Sequence, residues 1–174
     1  MPDLALGMES DAVLDVSGVY RFRLTRRWDR SRPTTVWVLL NPSKADAVVP
    51  DPTLDRCIAF ARKWGFGGVE LLNLFPFRAT EPKGLVTAHR RGVDVACRAQ
   101  RDAYIASTLL EAGVAPIAGW GAHPMAGPEQ HTVLKLARRW MALRLTKSGA
   151  PGHPLYLPGY LEPVEWAYPG MVKR

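Results

Sequence analysis

Residues 35–56 read TVWVLLNPSKADAVVPDPTLDR. From Val36 to Leu40 the run is apolar without interruption, as a strand buried on both faces of a sheet requires. It stops at Asn41-Pro42-Ser43, an amide and a hydroxyl where the apolar pattern would have continued. Asp51-Pro52 then offers a helix cap followed by proline at the first helical position. Leu54, Cys57, Ile58, Ala61 and Trp64 share one helical face, and Gly65 stands where such a helix would end. The stretch therefore predicts strand, loop, helix.

The same unit recurs downstream. VELLNLF (69–75) reads as a strand, and 95–112 as a helix closed by Gly113. VAPIAGW (114–120) reads as a strand, with Pro116 confined to an early position. A helix is expected from Pro128 to about Met141, followed by a strand at 143–146. Upstream, Tyr20, Phe22 and Leu24 alternate with Arg21, Arg23 and Thr25, the period of a half-buried strand. Strand–helix alternation implies right-handed crossovers, so the expected fold is α/β, a mostly parallel central sheet with helices on both faces. Residues 76–94 form the long irregular connection. One domain is expected over 1–174, with 1–17 a frayed lead-in and 155–174 a Pro-rich tail packed on the body.

No apolar run approaches the ~18 residues that would span a bilayer, so no membrane is expected. The acidic N-terminus lacks the features of a signal peptide. With only Cys57 and Cys97, a disulfide framework is excluded and a reducing cytoplasm is the default. The net charge of +7 is clustered. Residues 20–32 hold six arginines against one aspartate, and 134–147 hold five basic residues and no acidic one. Such blocks suit the phosphates of a nucleic acid or nucleotide, or form a solvated basic face.

Open α/β sheets bind ligands at the carboxyl ends of their parallel strands. In this register four polar motifs fall there. They are Asn41-Pro42-Ser43, Asn73 through Arg78, Trp120 through His123, and Lys147-Ser148-Gly149 with His153. Asn41 both donates and accepts, so it suits a water or a base edge, or caps a strand end. Ser43 suits a phosphate or a local turn, and Lys44 adds a positive charge beside it. Asp51 is explained as a cap, whereas loop Asp46 is not. Asp51, Thr53 and Arg56 fit a phosphate or a structural role at the helix start. Phe75 suits stacking on a base or core packing, and Trp120 shares that ambiguity, its flanking glycines marking a close approach. Arg78 and Lys147 are further ligand-binding candidates. His123 and His153 are candidates for chemistry near neutral pH, while His89 and His131 have no supporting context. Neither a phosphate-binding glycine loop, a zinc-ligand spacing nor a nucleophile elbow is present, and no cofactor or metal is expected.

LNPSKADAVVPDPTLDRC, NLFPFRATEP, GWGAHP and KSGAPGHPLYLP, in this order, resemble a bacterial and phage family known as domain-of-unknown-function family 1643. The resemblance covers roughly residues 19–158, with Ser43-Lys44 where that family usually has Ser-Thr. More loosely, the motif order is similar to the uracil-DNA glycosylase superfamily, a three-layer α/β sandwich with its site at the strand ends. That resemblance implies that Asn41 positions an attacking water and that His153 contacts the base. It implies further that Asn73 reads the base and that Phe75 stacks on it. Departures are Ser43 in place of glycine and Leu155-Tyr156 in place of Ser-Pro. The resulting expectation is a nucleobase- or nucleotide-recognising protein acting as an N-glycosidic bond hydrolase, catalytic through Asn41 and His153. The alternatives are a non-catalytic nucleic-acid or modified-base binding module, and a metabolic enzyme acting on a nucleoside-like or anionic small molecule.

Overall fold

The computed structural model describes residues 7–43 and 51–168. Among these residues seven strands, β1 (Glu9–Leu14), β2 (Arg21–Arg27), β3 (Thr34–Leu39), β4 (Gly68–Asn73), β5 (Ile117–Ala118), β6 (Met141–Ala142) and β7 (Val164–Glu165), form one sheet. Its order is β1-β2-β4-β3-β5-β6-β7. The strands β4, β3, β5 and β6 are mutually parallel. Antiparallel pairings add β2 and β1 on one side and β7 on the other, and they hold more of the paired residues. The expected mostly parallel sheet is therefore a mixed one with a parallel centre.

Every residue of β3 is buried, as its uninterrupted apolar run demands. Trp37, Leu39, Val69 and Leu71 pack with Leu54, Cys57, Ile58 and Phe60 of α1 (Pro52–Lys63). The alternate residues Val36, Val38, Leu72 and Leu74 pack instead with Leu85 of α2 (Pro82–Arg90), Ile105 of α3 (Arg98–Ala112) and Val133 of α4 (Ala126–Val133). A strand alternates its side chains between faces, so this division places α1 on one face and the other three helices opposite it. Gly113 ends α3 in the left-handed conformation, φ 63°, where a side chain would be strained.

Three expectations need correction. Residues 9–14, read as lead-in, pair with β2 as an edge strand; mostly exposed, they carry no apolar alternation to announce it. The connection 76–94 contains α2, whose buried face is only Leu85 and Ala88 and whose Glu81 cap makes no side-chain bond. The helix from Pro128 ends at Val133, and a 3-10 turn at Leu134–Leu136 follows. Trp140 causes the early turn: fully buried, it donates its indole N–H to Leu134 O at 3.0 Å and brings the chain to the sheet at Met141.

Candidate functional site

The parallel strands release their chains at one end of the sheet, and a cleft of about 510 Å³ opens there. Leu74 N–H donates to Leu39 O and Phe75 N–H to Leu40 O, so the exits of β3 and β4 run side by side. The exit of β5 meets the chain before His153 through Gly121 N–H on Pro151 O at 2.8 Å. Gly119 suits this close approach. A Cβ there would lie 3.0 Å from Leu39 Cδ2 and 3.1 Å from Pro154 Cδ.

Asn41 donates its amide to Pro42 O at 3.1 Å and to Ala79 O at 3.0 Å. Two carbonyl partners fix which end of the amide is nitrogen. Its Oδ1 is left without a partner among the described residues, in the wall of the cleft. Asn73, the last residue of β4, is 4% exposed and also lines the cleft. Its amide makes no hydrogen bond among the described residues. The amide is open to the cleft and so is available to a ligand there.

Half-buried His153 accepts the Leu155 N–H on Nδ1 at 3.3 Å, which leaves the proton on Nε2. Burial pushes its pKa down to about 4, against the opposing pull of Asp51. The imidazole is therefore a neutral N–H donor at pH 7. His123 accepts the Met125 N–H on Nδ1 in the same manner, at 3.3 Å.

Arg21 lines the cleft at 3% exposure. Burial lowers its pKa to about 10, partly countered by Asp51, so it stays cationic at neutral pH. A bulge puts it there. Val13 pairs with Arg23 and Leu14 with Arg21, which makes Phe22 the extra residue of β2. Leu24 keeps to the α1 face while Phe22 stacks on Tyr104 of α3 at 5.0 Å, and a bulge re-aims its neighbours in this way.

Asn41, Ser43, Asn73, Trp120, His123 and His153 thus share one cleft with Asp51 and Thr53. The remaining sequence candidates fall elsewhere. Phe75 is 2% exposed in the core opposite α1 and does not line the cleft; the strand path beyond Asn73 carries it inward. Pro42 is buried and serves through its carbonyl, which also accepts the Ala79 N–H. Arg78 donates to Gly18 O at 2.9 Å, and Arg56 donates to Leu157 O and covers the Phe60 ring. Asp51 caps α1 through the N–H groups of Thr53 and Leu54. Lys147 is exposed beside the rim. Lys44 and Asp46 lie outside the described residues.

Three features were missed by sequence reasoning. In the sequence Arg21 is one of six arginines in a basic block, on the polar side of an alternating strand. Tyr156, 81% exposed, stands at the cleft mouth with its ring 5.6 Å from that of His153; its signal was the aromatic after His153-Pro154. Behind the site, fully buried Arg101 donates to Leu74 O at 2.9 Å and to Glu129 at 2.6 Å, which anchors the chain immediately after Asn73. Nothing in the pattern of α3 distinguished Arg101 from a surface arginine.

Among the described residues no cluster of three His, Cys, Asp or Glu side chains suits a metal ion, and no helix is long and apolar enough to cross a membrane. A comparison with curated proteins gives no match, and neither does one with solved structures. The looser resemblance to the uracil-DNA glycosylases thus gains no support from them. The family described as "Protein of unknown function (DUF1643)" matches residues 21–155, and the chain belongs to that family.

Proposed function

We propose that the cleft recognises a nucleobase and that its arrangement suits cleavage of the N-glycosidic bond. One observation carries the reading: the amide of Asn73, which makes no hydrogen bond among the described residues, lines the same cleft as a neutral N–H donor, His153. An amide presents a donor and an acceptor side by side, the pairing that a base edge returns.

In the cleavage step water attacks the anomeric carbon while the carbon–nitrogen bond breaks. The electron pair departs with the base, and the proton of the water ends on that base through solvent. Asn41 Oδ1 orients the water. The Nε2–H of His153 and the charge of Arg21 stabilise the anion that forms, an electrostatic contribution made before the reaction begins. We also read the fold as a three-layer sandwich of the glycosylase kind. This is supported by α1 on one face, three helices on the other, and a cleft where the parallel strands end.

Binding without cleavage is the second reading, favoured by the state of Asp51. Asp51, the only carboxylate lining the cleft among the described residues, accepts two backbone N–H groups and the Ser43 hydroxyl, so both of its oxygens are engaged in holding the helix start. Incubation with modified-base duplexes, single strands and nucleotides separates the two. Base release abolished by Asn41→Ala supports cleavage; saturable binding with no release from any substrate supports the second reading.

A further inference from the structure

We propose that the base enters the cleft from a single-stranded nucleic acid, whose backbone lies along residues 144–152 and whose next base stacks on Tyr156. This rests on the base-recognition reading above and adds the polymer and its path.

The fold gives the two basic blocks different fates. The first is spent internally. Arg23 pairs with Glu111 at 3.2 Å, Arg30 with Glu9 at 2.6 Å and Arg32 with Asp29 at 3.2 Å. Arg26 and Arg27 donate to backbone carbonyls, and Arg21 is enclosed in the cleft. In the second block Arg139 meets Glu165. Lys135, Arg138, Arg144 and Lys147 are exposed and form no ion pair among the described residues. No Asp or Glu occurs between Gln130 and Leu161 to neutralise them.

Position then selects among these cations. Lys135 and Arg138 precede β6, at the end of the parallel strands away from the cleft. Arg144 and Lys147 follow β6, on the cleft side. Gly152 N–H on Arg144 O at 2.7 Å and Thr146 N–H on Ala150 O at 2.8 Å fold this segment into a hairpin. Thr146 and Gly152 themselves line the cleft, so Arg144 and Lys147 flank its rim. Tyr156 shares that rim, and at 81% exposure it presents a ring to solvent outside the enclosure. An exposed aromatic with uncompensated cations beside a cleft roomy enough for a base is how single strands are held. A free nucleobase would need none of the three.

The test measures binding of the full chain to eight-nucleotide single strands of DNA and of RNA, and to the matching mononucleotides and free bases, over a range of salt. A strand of either kind should bind at least tenfold tighter than any mononucleotide. The double variant R144A/K147A should reduce the slope of log affinity against log salt by about 1.4, at ~0.7 per phosphate contact. Tyr156→Ala should weaken strand binding roughly tenfold, and R23A/R30A should leave the slope unchanged. Strand binding no tighter than that of mononucleotides, or a slope indifferent to R144A/K147A, overturns the strand proposal and leaves base recognition standing. Failure of strands, mononucleotides and bases alike overturns both.

Discussion

The Ser43 hydroxyl donates to Asp51 Oδ2 at 2.9 Å while Oδ1 of the same carboxylate accepts the N–H groups of Thr53 and Leu54. The exit of β3 is thereby tied to the start of α1, and the one acidic group lining the cleft among the described residues holds its wall. Asp51→Ala should cost about 1–2 kcal/mol, the usual value of a lost cap, and Ser43→Ala about 1 kcal/mol. Urea denaturation monitored by tryptophan fluorescence checks both. If Asp51→Ala left stability untouched, the capping role would be wrong.

Asn73 should behave in the opposite sense. Its amide makes no hydrogen bond among the described residues, so Asn73→Leu, similar in shape, should stabilise the fold by up to about 1 kcal/mol. The same variant should lose its response to ligand. A gain of stability at the expense of function marks a binding residue; a large loss of stability would show that the amide has a structural partner.

His153 makes stability depend on pH. Its folded pKa is about 4, against the ordinary 6.5, because burial disfavours the imidazolium. The unfolded chain binds the extra proton first, so the contribution is complete above pH 6.5 and declines as pH falls toward 4. The full loss is about 3 kcal/mol. His153→Asn keeps an acceptor for the Leu155 N–H and should flatten this part of the profile. An unchanged profile would refute the neutral buried imidazole.

Glu129 tests the support behind the site. Burial opposes its charge, yet hydrogen bonds from Arg98 and Arg101 hold its carboxyl below the usual range. Glu129→Ala leaves the fully buried Arg101 with only the partly exposed Asp102, 2.7 Å away, as counter-charge, and should cost about 3 kcal/mol, the low end for a broken buried pair. The loss should appear as a lower denaturation midpoint. Because Arg101 also bonds Leu74 O, ligand affinity should fall with it.

The sequence was most readable where local signals agreed. Asp51-Pro52 and the apolar face of α1 specify a helix that needs no tertiary information, and the run to Leu40 can only be a central strand. Legibility failed where long-range contacts decide. Nothing local shows that Glu9–Leu14 finds β2, or that burial of Trp140 ends a helix at Val133. At the site, strand ends located Asn41, Asn73 and His153 because topology alone gathers them. Phe75 and Arg21 exchanged roles for one reason: which way a residue points after a strand end or at a bulge depends on register, and composition carries no register.

On the proposed reading the Asn73 amide contacts the base directly. The most direct test of this contact follows the side-chain amide resonances of Asn73, assigned by their loss in Asn73→Leu, while free bases and nucleosides are titrated into the full chain. The prediction is a saturable shift of those resonances with at least one base, with no matching response in the variant. Resonances that stay fixed through every titration would contradict it.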